Sequence, residues 1–219
     1  MYIFDWSVVT QNIHLLLPAL EMTFKVAIAS EILALVMGLI AALARSSPSK
    51  LLNVPAAIYI DTFRAIPLLV LLIWMYYGVS IVIGINFTAF QAGVLGLGLF
   101  YGAYTAEVFR SGLQAIPRGQ REAALTLGLS RWQATYAVVL PQAVRIVTPA
   151  LTNYFVGMMK DVTLIAVIGL TEFMRTAQTV VSRTFRPFEI YTFVALVYLI
   201  LTITFSRIVA WMERRVPVH

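Results

Sequence analysis

Lys160, Asp161 and Thr163 place a cation, a carboxylate and a hydroxyl within four residues, and Lys160-Asp161-Val162-Thr163 interrupts an otherwise apolar run. Ionisable side chains at membrane depth are costly, and they collect where a helix breaks beside the path of an ion or a polar solute. The competing use of the same residues is a structural Lys160–Asp161 pair at a helix end. Glu31 is a second isolated carboxylate in an oily stretch, suited to a structural pair inside a bundle or to a water-filled cavity. Asp61 and Arg64 are three residues apart and meet on one helix face. Pro67 follows them and would free a backbone carbonyl and permit a kink. Glu107 is placed to reach Arg110 one turn on. No catalytic set accompanies these groups. Cysteine is absent and His14 and His219 are the only imidazoles, so neither a thiolate site nor a histidine–carboxylate metal cluster is expected. No Gly-Lys dipeptide occurs, which removes a Walker-type phosphate loop.

Composition dictates the elements that hold these residues. The 219 residues are 60% hydrophobic and only 12% charged, against about a quarter charged in a soluble domain. Several apolar runs reach the ~20 residues a spanning helix needs. A spanning backbone must satisfy its own hydrogen bonds, and no ten-residue alternation suggests a barrel. The expected fold is all-α and polytopic, with about five transmembrane helices. The spans fall over Leu20–Ala44, Ala56–Val79, Phe90–Phe109, Tyr136–Met159 and Tyr191–Trp211. Met1–Leu17, with Tyr2, Phe4 and Trp6, is expected as a short helix on the outer surface. No basic residue precedes Lys25, so a cleavable signal peptide is not supported. Gly98 and Gly102 give the third span a small face for close helix contact.

The most structured polar stretch runs from Gln120 to Pro141. Pro117 suits a helix start, and Arg118 with Glu122 forms an i,i+4 pair. Gly128 suits a left-handed stop, and Ser130 with Gln133 makes a capping box. Helix, stop and helix between two spans, among Arg118, Arg121, Arg131 and Arg145, is a docking element for something in water. The net charge of +6 lies mostly beside spans. It is expected to place the Arg45–Lys50 loop, the hairpin and the C-terminus in the cytoplasm and the N-terminus outside, with no role for nucleic acid. Arg175, Arg183 and Arg186 would then lie outside, against that rule, on a segment folded into the outer mouth of the bundle.

Glu122-Ala123-Ala124, three residues, Gly128, nine residues, Val138, one residue and Leu140-Pro141 resembles the EAA signature of permease subunits in ABC importers, where isoleucine is usual at the Val138 position. Phe63–Leu69 resembles the family's second-span entry, and Tyr104–Gly112, Ile116–Gln120 and Lys160–Leu164 are similar to segments of the subfamily that imports polar amino acids, with serine more usual at Thr163. The resemblance implies a type I importer permease, a single transmembrane domain over 1–219 with a cytoplasmic coupling hairpin at about 113–137. It implies a multi-pass protein of the bacterial inner membrane that is not an enzyme. Two separate ATPase subunits would bind ATP and magnesium, this chain itself binding no cofactor. A second permease subunit, identical or homologous, would complete the pathway. A periplasmic or lipid-anchored binding protein would deliver the amino acid. Glu122, Ala123, Ala124, Gly128, Leu140 and Pro141 would couple to the ATPase. Lys160, Asp161 and Thr163, with Glu31 second, would face the zwitterionic substrate. Asp61, Arg64, Pro67 and Glu107 would have structural or gating roles. The competing functions are an ion-coupled secondary transporter and a membrane scaffold that anchors a cytoplasmic partner. ATP-dependent uptake that needs an added ATPase separates the three.

Overall fold

Long apolar runs fold as long helices because only a helix satisfies its backbone internally in lipid. The computed structural model describes residues 3–214; Tyr2, Arg215 and His219 lie outside the described residues. Its helices are α1 (Ser7–Arg45), α2 (Lys50–Ala65), α3 (Leu68–Ile83), α4 (Ala89–Gln114), α5 (Arg118–Thr126), α6 (Arg131–Ile168), α7 (Phe173–Thr184) and α8 (Pro187–Arg214). No strand occurs among the described residues. Helices α1, α4, α6 and α8 are each long and apolar enough to cross a membrane. Helices α2 and α3, bent by 109° at their break, count as a fifth if the pair is one broken span.

The amino-terminal surface helix expected to end at Leu17 is instead the start of α1, which runs unbroken for 39 residues with Pro18 inside it. At 1.5 Å per residue this is about 58 Å, roughly twice the hydrocarbon thickness. A span that ends at Arg45 leaves the first turns, Pro18 included, beyond the hydrocarbon. Pro18 and His14, whose carbonyl loses its partner, both lie on the exposed side. The proline therefore costs one bond and does not end the helix. At the helix start, the Asp5 carboxylate accepts from the Ser7 amide at 3.0 Å and from its hydroxyl at 2.6 Å. Those bonds hold its pKa below the usual range.

Close packing is built on glycine. A Cβ on Gly38 of α1 would lie 2.6 Å from Thr105 Cγ2 of α4, and one on Gly98 would lie 2.6 Å from Leu33 of α1. The small face of α4 is thus seated against α1. Helix α2 joins them through the Tyr59 hydroxyl, which donates to the Leu99 carbonyl at 2.8 Å. The turn between α1 and α2 is latched by Asn53, which donates to the Arg45 carbonyl at 2.6 Å and accepts from the Arg45 guanidinium. Between α2 and α3, Ile66 and Pro67 are extended. Proline bars the residue before it from helix and removes an amide from the ladder.

Two ends of the bundle follow from these contacts. At one end, α7 buries Phe173, Ala177 and Val180 against Val8, Val9 and Leu16 of α1 and Ile190 and Val194 of α8. The chain start is clipped there, the Asp5 amide donating to buried Glu189 at 2.9 Å. At the other end lie Arg45 and α5. The segment that carries Arg175, Arg183 and Arg186 is therefore a helix packed into the bundle at the end opposite the hairpin.

Candidate functional site

The hairpin is built by local signals. Helix α5 ends in a Schellman arrangement. The Leu129 amide donates to the Ala124 carbonyl at 3.2 Å and the Gly128 amide to Leu125 at 3.0 Å. Gly128 has φ +84°, a conformation that a Cβ disfavours. Helix α6 then opens on a capping box. Ser130 Oγ accepts from the Gln133 amide at 3.3 Å, and the Ser130 amide donates to Gln133 Oε1 at 2.9 Å. Arg121 donates across the hairpin to Thr135 Oγ1 at 3.0 Å. Ala124 is buried at 4% exposure, while Ala123 and Glu122 are exposed. The expected Arg118–Glu122 ion pair is not formed. Glu122 instead shares a surface concavity with Arg118, Arg121 and Arg131, so no single arginine holds it.

Five residues into α6 the helix widens. Thr135–Val139 forms a π turn, and the Leu140 amide donates to the Thr135 carbonyl. Pro141 explains it. The proline has no amide, and its ring crowds the carbonyl four residues back, so the helix opens by one residue to admit it. Leu140 and Pro141 are exposed at this entry to the span. The polar hairpin also presents large apolar groups. Leu127 is 83% exposed, and Trp132 is 76% exposed and stacked on Tyr136 at 6.5 Å. Exposed apolar groups rimmed by charge mark a protein contact surface. Sequence reasoning missed Leu127 and Trp132, although a tryptophan within a polar, capped helix was the available signal.

Beneath the hairpin, a cleft of about 1140 Å³ separates it from the ends of α1, α2 and α4. Arg45, Asp61, Glu107, Arg110, Arg118 and Arg121 line it. Glu107 and Arg110 pair at 2.6 Å as their spacing suggests. Asp61 and Arg64 do not pair. The Arg64 guanidinium lies over the Tyr104 ring at 5.3 Å, where an aromatic face attracts a cation, and Asp61 stays exposed in the cleft.

At the far end of α6, Asp161 closes the regular helix and a 3-10 turn, Val162–Ile168, carries on to Gly169 at φ +88°. Lys160 and Asp161 do not pair either. Lys160 is exposed, and the half-buried Asp161 accepts at Oδ2 from the Tyr101 hydroxyl of α4 at 2.7 Å. Thr163 donates to the Lys160 carbonyl at 2.8 Å. It lines a groove of about 580 Å³ with Arg175 and Gln178 of α7. Glu31 is half-buried on α1 and enters no ion pair. The break therefore bonds Asp161 to Tyr101 and sets Thr163 in one groove with Arg175, juxtapositions that spacing along the chain does not reveal.

A helical membrane bundle with a capped polar hairpin between two spans has the form of a transporter subunit. Residues 34–218 match the family described as binding-protein-dependent transport system inner membrane component. The chain is 35% identical over 216 residues to the glutamine transport system permease protein GlnP of Escherichia coli strain K12, covering 98% of this chain and 99% of that one. It is 32% identical over 222 residues to the glutamate/aspartate import permease protein GltK of Escherichia coli O6:H1, covering 98% and 99%. A crystal structure of an amino acid ABC transporter with histidines superposes with TM-score 0.92 at 37% identity, over 98% of this chain and all of that chain. The chain belongs to this family: it is a permease subunit of an ABC importer, has the type I fold, and is not itself an enzyme.

Proposed function

We propose that this chain forms the membrane pathway of an importer for a polar amino acid, and that its hairpin receives the motion of a separate ATPase. The hairpin carries the reading. Its Glu122, Ala123 and Ala124 sit on a short helix closed at its C-terminal end by the Gly128 turn, beside exposed Leu127 and Trp132. Such a surface suits insertion into a groove on a partner. The names of the two relatives, glutamine and glutamate/aspartate, support a polar amino acid. Residues 1–219 act as one transmembrane domain with the hairpin in the cytoplasm and the amino terminus outside. Two ATPase subunits hold ATP and magnesium, a second permease copy or homologue completes the pathway, and a binding protein delivers the substrate.

ATP closes the ATPase pair, the hairpins follow, and the bundle switches between inward- and outward-facing states biased by the partner. Asp161 is an acceptor for the substrate ammonium and Lys160 supplies a donor for its carboxylate, with Thr163, whose proton goes to the Lys160 carbonyl, beside them on the path. Glu31 is a further polar group along the path. Pro67 and the Arg64–Tyr104 contact fix the α2–α3 bend near Asp61, and Glu107 with Arg110 braces the inner end of α4.

The test is uptake in proteoliposomes containing the permease, the ATPase and the binding protein. Uptake should require added ATPase and ATP. Gly128→Asp should abolish uptake while membrane insertion is retained, because any side chain at φ +84° strains the turn. Wild-type uptake by Gly128→Asp, or uptake driven by an ion gradient alone, overturns the reading. Asp161→Asn should raise the KM for the amino acid with assembly intact, and unchanged uptake kinetics would remove Asp161 from the path.

A further inference from the structure

The bond between Tyr101 and Asp161 joins the two helices that flank the hairpin, sixty residues apart in sequence. Three observations fix its geometry. Tyr101 is 6% exposed, so its ring has no room to swing. Phe100 and Tyr154 box the ring at 5.5 and 6.3 Å between centroids. A Cβ on Gly157, one turn before Asp161, would lie 3.1 Å from the Tyr101 hydroxyl, so glycine leaves the space through which that hydroxyl reaches α6. The bond engages Asp161 Oδ2, and no other hydrogen bond or ion pair among the described residues reaches the carboxylate. A hydroxyl has one proton to give, and Tyr101 spends it here. Asp161 stands where α6 changes from α to 3-10 geometry, a place where an unheld side chain has several rotamers available.

We propose that Tyr101 is the positioning residue for Asp161: it occupies one carboxylate oxygen and fixes the other for a cationic group of the solute. This rests on the substrate role assigned to Asp161 above. The chemical class recognised through the pair is a primary ammonium, which brings charge and several donors to a single free oxygen.

Tyr101→Phe keeps the ring and its packing and removes only the donor. In the reconstituted complex, that variant should raise the KM for uptake about tenfold, the scale of a hydrogen bond to a charged group. The maximal rate and the ATPase activity without substrate should stay near wild type. Combined with Asp161→Ala, the substitution should add nothing further, because the group it positions is gone. A Tyr101→Phe complex with unchanged KM overturns the proposal, and so does one whose maximal rate and assembly fall while KM holds. If Asp161→Asn raises KM and Tyr101→Phe does not, positioning fails and the role of Asp161 stands. If neither moves KM, both fail.

Discussion

Glu172 shows what a single buried carboxylate does in this chain. It caps α7 by accepting from the Met174 amide at 2.8 Å and the Arg175 amide at 2.7 Å, and it is fully buried in the link between two spans. Burial outweighs those bonds and pushes its pKa up to about 7. The folded state therefore holds a proton that the unfolded chain releases near 4.5. The stabilisation is complete below that lower value and is lost as pH rises through about 7. The unfolding midpoint should be higher at pH 5 than at pH 8, and Glu172→Gln should flatten the difference; an equal slope in the variant would show that other groups cause it. Glu172 also marks the limit of the sequence. The stop at Gly128 and the Ser130–Gln133 box were legible because each is made by neighbours in the chain. The Asp61–Arg64 and Arg118–Glu122 pairs do not form, nor does the Lys160–Asp161 pair that stood as one of two readings, because spacing says who can meet, not who competes. Tyr101 takes Asp161 and Tyr104 takes Arg64, each from another helix.

Among the elements, the packing of α4 is the most exacting. A Cβ at Gly112 would lie 2.2 Å from Val147 Cγ1 of α6, so α4 and α6 touch just above the hairpin that connects them. Gly112→Leu should separate them and cost about 1–3 kcal/mol, the range for overpacking, read as a lower unfolding midpoint in detergent. An unchanged midpoint would mean that the two helices are not held at this contact. The spans themselves were legible from apolar length, and the break at Pro67 from the residue type. The unbroken α1 was not, because a proline that ends a soluble helix is tolerated where its lost bond lies on an exposed face. The 3-10 segment after Asp161 was not legible, since periodicity does not distinguish the two helix types over seven residues.

For the whole molecule, the contacts place α7 and the chain start at one end and the hairpin and Arg45 at the other. The absence of cysteine makes orientation directly measurable. In spheroplasts, Phe185→Cys should react with a membrane-impermeant maleimide, and Pro48→Cys should react only after lysis; the reverse pattern would invert the topology. Across that length, the widened turn at Thr135–Val139 acts as an angular setting. One extra residue turns whatever follows it by about 100° around the helix axis. Trp132 and the span beyond Leu140 are thus keyed to each other like a crank on a shaft. Deleting Val139 would turn the face that carries Trp132 by about 100° relative to the span that follows.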